Sequence, residues 1–596
     1  MKRRAAPAPK QEALTNQERI PAMTLPHKKL SLPRRTFWAA VAVLTALRLF
    51  VTGFQQAYTW VGGAPLDDEL MFRAANAISA GQWLGEYDYL TLSKSMFFPV
   101  WLALLHALRI PYLLGGVALW CAAALAAAFA LRPLWEKRGE DAARLCTLGL
   151  YAALCFLPSS WAAYTLRVYR DNIFPALCLL CFAGFAGALL RAGWDPARKP
   201  KLAGWAVLAG AGLAAGYLSR EDAGLFLLPF ALGASAVLAV RLARRRRWGT
   251  LAGQAVPYLM LAVGIHVFCL LNYTHYGVYT LSDFSSGAFA DAMGAMSRVA
   301  TDSDEGMLSV PADARQKLYD AVPALQPLAY WLEEDPQMIN DFRDPELEDY
   351  RAGSFYWAIR RAAQFEGIYD SAAGAEAYWA EVASAVNAAC DDGTLPTRPG
   401  DSGARSGTTQ PIRARYVLPT LREALRSLGW VLTFQDCAPY ESLRSIGTEE
   451  DFAAWSGYLH CGFNGAAEAG RDTPYYSPQQ KLVFGVLGAV RWVWAFALPV
   501  AFVLAAVRML RLLIARGGVR RGWAAGLGGW LLLAALLFMA ALRCGMIAFV
   551  EVSSFGIGTS TMYLATVHPL LLLVSFGALA GTFGTSGKGG GGHAEE

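Results

Sequence analysis

Three adjacent carboxylates, Asp67, Asp68 and Glu69, follow the first long apolar run of the chain in Leu66-Asp67-Asp68-Glu69-Leu70. Like charges this close repel one another and hold water strongly. They must be solvated, paired with cations, or gathered to take a proton or hold a metal. Ionisable groups beside a membrane span read as functional by default. The structural alternative is a helix-surface pair between Glu69 and Arg73, four residues apart.

Other polar groups recur at the same edge of the predicted spans. Glu86 and Asp88 form a second acidic pair in 85–89, and Lys94 follows in Leu92-Ser93-Lys94-Ser95. By residue type Lys94 either binds a phosphate or extends its ammonium to the interface. A later loop reads Tyr164-Thr165-Leu166-Arg167-Val168-Tyr169-Arg170-Asp171-Asn172. There Arg170 and Asp171 make a catalytic pair or a plain ion pair, and Asp171 also suits the cap of the helix that follows. Arg220, Glu221 and Asp222 join two spans with no spacer, as a site or as a polar tight turn. The last loop of this kind holds Glu551, Ser553, Ser554, Thr559, Ser560, Thr561 and Tyr563, suited to sugar or phosphate contacts or to a turn. Each signal alone is weak, and their convergence on one level is the functional argument.

The elements that position these groups are apolar helices. The chain has 596 residues, 55% hydrophobic and 17% charged. Runs of the length that crosses roughly 30 Å of hydrocarbon are expected at 36–56, 112–132, 143–160, 172–190, 203–218, 223–241, 252–272, 484–506, 523–545 and 562–583. The short run 97–108, broken by Pro99 and His106, reads as an interfacial or re-entrant helix. The expected fold is therefore an all-α polytopic membrane protein of about ten spans. Lys and Arg concentrate in alternate short loops, notably Arg244 to Arg247, which puts both termini inside and the acidic first loop outside. About 35 mostly polar residues precede the first span, so that span reads as an anchor and not a cleaved signal.

This division gives a basic cytoplasmic tail (1–35), a bundle (36–272) with the first outer loop at 57–96, an extracytoplasmic domain (273–482), C-terminal spans (483–583) and a flexible tail (584–596). Residues 273–481 hold 30 Asp and Glu against 16 Lys and Arg. A segment so acidic argues against nucleic acid or anionic lipid as that domain's partner. It is expected to be mainly helical, at 314–331, 353–365 and 374–390, with a loop at 396–411. The run 72–78 is periodic as an amphipathic helix along the membrane surface. Of ten Cys, only Cys390, Cys437 and Cys461 lie in the outer segment, and Cys437 with Cys461 is the disulfide expected from proximity.

The acids after the first span, the helix that follows them, Leu92-Ser93-Lys94 and Phe98-Pro99-Val100-Trp101 together resemble the GT-C superfamily of membrane glycosyltransferases, in particular its protein mannosyltransferase and aminoarabinose transferase group. Arg170-Asp171-Asn172 and Ser219-Arg220-Glu221-Asp222 are similar to its later motifs, so the likeness covers about 36–240. The expected Pro-Pro after the lysine is absent. The resemblance implies an inverting enzyme of the bacterial inner membrane, its active site facing outward. Its partners would be membrane lipid, a polyprenyl-phosphate sugar donor and an extracytoplasmic glycan, lipid or protein acceptor. It implies Asp67 or Asp68 as catalytic base and Asp171 as a second functional acid. Lys94, Arg170 and Arg220 would meet the leaving phosphate, with Glu221 and Asp222 beside them. If a divalent metal serves as cofactor, Glu69, Glu86 or Asp88 would complete its oxygen shell. The competing readings are a transporter or flippase of a lipid-linked polar substrate, and a non-enzymatic envelope assembly protein. Neither paired broken helices nor internal symmetry, the marks of many transporters, is visible.

Overall fold

The computed structural model describes residues 32–62, 65–192, 202–303, 306–398, 410–465, 473–516, 523–556, 558 and 560–583. The terminal tails and most of the 396–411 loop lie outside them. The chain is helical throughout, with only isolated β-bridges among the described residues.

The first half consists of α1 (Arg34–Thr52), α2 (Leu70–Ser79), α3 (Phe97–Ala107), α4 (Tyr112–Leu131), α5 (Glu140–Cys155), α6 (Phe174–Arg191), α7 (Ala203–Tyr217), α8 (Ala223–Arg244) and α9 (Val256–Tyr276). The middle segment contributes α10 (Ala288–Met296), α11 (Ala352–Phe365), α12 (Ala372–Asp391), α13 (Ala414–Leu432) and α14 (Glu449–Leu459) among shorter helices. The chain then closes with α15 (Pro478–Arg516), α16 (Trp523–Val550) and α17 (Val567–Ala580). Among the described residues seven helices are long and apolar enough to cross a membrane. This is an integral membrane protein.

Each of the ten expected runs has a helix, but three of those helices are too short or too bent to count as simple spans. α7 and α17 have 15 and 14 residues. Pro158 interrupts the run at 143–160, and the chain bends by 53° after α5. Proline also divides the helix expected over 314–331, at Pro323 between Ala312–Ala321 and Gln326–Glu333. The helices expected at 353–365 and 374–390 are α11 and α12. α3, with 11 residues, is too short to cross.

α6 and α7 pack so closely that glycine is required where they touch. A Cβ at Gly212 would sit 2.3 Å from the Cys181 amide nitrogen, and one at Gly184 would sit 2.4 Å from that of Ala209. Backbone on the facing helix cannot swing aside as a side chain does. Gly212→Val is therefore expected to lower stability by about 1–3 kcal/mol, read as an earlier thermal transition of the purified protein. An unchanged transition would contradict this packing.

Four apolar clusters result, the smallest of them Ala188, Ala192, Leu202, Leu238 and Leu242. The largest joins the spans, and Val431, Phe434 and Cys437 from the end of α13 belong to it. A second, from Ala288 to Leu395, is the interior of the middle segment. The third unites residues 57–113 with 166–177 and with α14. α2 is buried in this third core, with Phe72 stacked on Trp455 at 4.0 Å, so the apolar face read as facing the membrane surface is covered by protein.

All ten cysteines are free. Cys437 is buried beside Tyr164 and His568, whereas Cys461 packs against the third core, so the disulfide expected between them is not formed. Sequence proximity did not reveal that the two enter different cores.

Candidate functional site

Residues 57–61 run extended between two other segments. Tyr58 exchanges backbone hydrogen bonds with Leu166 and Val168, while Thr59 and Val61 pair with Ile446. This places the wide turn Pro65–Glu69, which leads into α2, against the loop that carries Arg167. Asp68 is wholly buried there. Its Oδ2 accepts from the Trp60 amide at 3.1 Å and from Thr59 Oγ1 at 3.3 Å, and its Oδ1 meets Arg167 Nη2 at 2.6 Å. Asp67 turns the other way, 33% exposed, with one oxygen on the Lys94 ammonium and the other 3.4 Å from Arg167 Nη2.

From Lys94 the network continues through four chain segments. Its Nζ donates to the Tyr169 hydroxyl, as does Arg170 Nη2. Arg170 pairs with Glu221 at 2.9 Å, and Glu221 accepts from the Ser95 amide at 2.6 Å. Arg220 pairs with Asp171 at 3.2 Å and with Asp222 at 3.1 Å. Asp222 also meets Arg543 of α16 at 2.6 Å, and Arg543 Nε donates to the Tyr563 carbonyl. The Tyr563 ring in turn lies over the Arg220 guanidinium.

Five carboxylates thus meet five cations. All five cations are buried, with Lys94, Arg167, Arg170, Arg220 and Arg543 at most 10% exposed; Asp68 and Asp171 are buried as deeply, whereas Asp67, Glu221 and Asp222 are 28–33% exposed.

Burial and charge divide the two neighbouring aspartates. Burial pushes both carboxyls up. At Asp67 this is outweighed by Lys94 and Arg167 and by hydrogen bonds from Lys94 and Tyr169, which hold it far below the ordinary carboxylate range. At Asp68 burial prevails over Arg167 and the carboxyl is raised. Asp171 is raised by burial too, against Arg220 and Arg170. Its Oδ2 has no protein partner and lines a cavity of about 20 Å³ shared with Asn172 and Ser159, room for a water molecule and not for a sugar.

Two pairings expected from sequence are replaced by others. Arg170 chooses Glu221 over its neighbour Asp171, because adjacent side chains on a turn point apart; the helix that follows is not capped by the Asp171 side chain. Arg73 pairs with Asp88 at 2.8 Å and not with Glu69, whose Oε2 accepts from the Gly62 amide. Asp88 also accepts from Leu90 and Thr91, and Glu86 is exposed on the same turn. Among the described residues no three His, Cys, Asp or Glu side chains are gathered as a metal ion requires. With Asp88 held by Arg73 and both oxygens of Asp67 facing cations, the donor set does not fit a divalent ion, and no chemical step is drawn through one. Thr559 lies outside the described residues.

Sequence reasoning passed over Arg167, Tyr169 and Arg543. Arg543 carried a readable signal, a charge within an apolar run. It also passed over Trp357 of α11, whose ring stands 5.4 Å from Lys94 Nζ. Trp357 comes from the middle segment, which is fastened beside the site. Arg360, fully buried on the same helix, pairs with Asp283 at 2.9 Å and donates to the Tyr89 carbonyl. The Asp283 amide in turn donates to the Leu92 carbonyl.

No family model matches the chain, and no curated protein does. Among solved structures, ArnT from Cupriavidus metallidurans in the apo state is similar to it over 91% of this chain and 78% of that one, at 13% identity and a TM-score of 0.29.

Proposed function

We propose that this protein is a membrane glycosyltransferase. In this reading it moves a sugar from a polyprenyl-phosphate carrier to an acceptor on the outer side of a bacterial inner membrane, with Asp67 as base. The observation that carries the reading is the single ion network assembled from the 67–95, 167–171, 220–222 and 543–563 segments. Buried cations there meet three partly exposed carboxylates, Asp67, Glu221 and Asp222, an arrangement suited to transfer from a phosphate leaving group. The distribution of Lys and Arg supports the outward orientation.

Because carboxylates and cations are matched in number, an arriving phosphate must draw a cation away from a carboxylate. Lys94 is the suited one, since it holds Asp67 alone while Arg167 also serves the buried Asp68. Once Lys94 turns to the phosphate, Asp67 loses its nearest cation and becomes more basic just as the donor is in place. The acceptor oxygen attacks the anomeric carbon, its proton passes to Asp67, and the bond from that carbon to the phosphate oxygen breaks with its electron pair leaving on the phosphate. One displacement inverts the anomeric configuration. Lys94 and Arg170 stabilise the departing charge. Asp171, facing a space too small for a sugar, is a positioning residue that holds Arg220.

The pH profile tests the role of Lys94. Asp67 is held low in the free protein and stays ionised, so kcat/KM for transfer should remain level from about pH 8 down to about pH 5. Lys94→Met removes the nearer of the two charges that depress Asp67, together with its hydrogen bond, and an acidic limb should enter that range. A limb in the parent that the substitution leaves in place would contradict Asp67 as the base.

A further inference from the structure

A cation-lined cavity lies on α15 and shares no residue with the ion network. Lys481, Phe484, Gly485, Gly488 and Arg491 recur at helical spacing on one face of that helix. Tyr440 stacks on Phe484 with ring centres 5.3 Å apart, and Tyr476 meets the same ring edge-on at 5.1 Å. With the 438–440 turn these side chains bound a cavity of about 480 Å³. A Cβ at Gly485 or Gly488 would meet nothing within 4 Å, so the floor of the cavity is open.

Its electrostatics differ from those of the site already described. There every cation has a carboxylate; here, among the described residues, neither Lys481 nor Arg491 has one. Arg491 donates to the neutral Gln435 carbonyl at 2.9 Å, and the Lys481 ammonium stands 5.9 Å from the Tyr475 ring. The Glu441 side chain turns to the Leu443 amide and the Ser442 hydroxyl. The overall acidity of residues 273–481 argues against an anionic lipid elsewhere on that segment, but the part of it that lines this cavity holds Lys481 and no carboxylate. Two cations without a paired carboxylate beside three aromatic rings suit an anion that also carries a ring or glycerol. The volume falls within the range of ligand sites, about 300–1,000 Å³, and exceeds what a bare phosphate fills. The mouth lies where α1 leaves its apolar run: Gln480 Nε2 donates to the Phe54 carbonyl, and Gln55 Nε2 to that of Pro439. Arg491 stands ten residues beyond Lys481 along α15, about 15 Å, so the cavity runs along that one spanning helix, between it and the 438–440 turn.

We propose that this cavity binds the phosphorylated headgroup of a membrane amphiphile. Lys481 and Arg491 hold its negative charge, Tyr440, Tyr476 and Phe484 pack on its ring or glycerol, and its chains leave into the surrounding lipid. The proposal does not depend on the transfer reading. Binding of phosphatidic acid to the purified full-length protein, followed by native mass spectrometry, tests it, with diacylglycerol and inorganic phosphate as the other two probes. Phosphatidic acid should bind, diacylglycerol should not, and millimolar inorganic phosphate should not displace the lipid. The double substitution Lys481→Ala and Arg491→Gln should weaken binding by about tenfold or more. Gly485→Trp, which keeps both cations and fills the open floor, should do the same without lowering the thermal transition. Retained binding in both variants, or equal binding of diacylglycerol, would overturn the proposal. Displacement by inorganic phosphate would overturn the amphiphile, leaving a site for the free anion.

Discussion

Asp67→Asn is expected to fold as the parent does and to lose sugar transfer by a factor of about 10² or more, the contribution of a positioned base. The substitution is nearly isosteric and falls on a side chain one third exposed. It leaves the buried pair of Asp68 with Arg167 intact, and Lys94 keeps the Tyr169 hydroxyl. What it removes is the one carboxylate of the 67–69 turn that both reaches solvent and touches the cations proposed to hold phosphate. Asp171→Asn is the informative companion. With Arg220 still paired to Asp222, it should cost less turnover than Asp67→Asn. Transfer rates and thermal transitions measured on the same preparations check both. A larger loss of turnover at Asp171 would exchange the roles assigned here.

Arg167→Met is expected to destabilise the protein by about 3–5 kcal/mol, the cost of leaving a buried charge without its partner. Asp68 would keep only the Thr59 hydroxyl and the Trp60 amide, at zero exposure. The sign of the pH effect follows. An acid whose carboxyl is raised in the folded state binds more protons folded than unfolded, so its stability falls as pH rises. The variant's deficit should therefore shrink as pH is lowered through the range in which Asp68 takes up its proton. Adding Asp68→Asn to Arg167→Met should restore part of the lost stability at neutral pH. Denaturant unfolding followed by tryptophan fluorescence measures both effects. No rescue by the second substitution would show that Arg167 stabilises through its packing on Trp60 and Tyr169 and not through Asp68.

The helices of the bundle were legible because their signal is local: long apolar runs with polar loops between them. The helices depart from the apolar pattern at Pro158 and Pro323, where proline ends a helix that periodicity alone would continue. The site was legible as a set of loops carrying charge and not as a set of pairs. Asp67, Lys94, Arg170 and Arg220 were named from sequence and do meet in one network. The hydrogen bonds and ion pairs that join these four to other segments span 27 to 100 residues, and spacing along a chain holds no information about such contacts. That is why Arg170 was expected to pair with Asp171 and instead meets Glu221. α2 shows the same limit: its apolar stripe was visible, and what covers it, α14 from almost 400 residues later, was not.

A donor labelled separately on sugar and polyprenyl phosphate decides whether a sugar is cut from a lipid phosphate at this network. Offered as a panel of hexose and pentose carriers to proteoliposomes containing envelope lipids as acceptor, one of them should lose its sugar. The two labels should part, the sugar moving to an acceptor while the polyprenyl phosphate stays behind, and Asp67→Asn should abolish the parting. Both labels crossing the membrane together, uncleaved, would contradict cleavage at this network and establish a transporter instead.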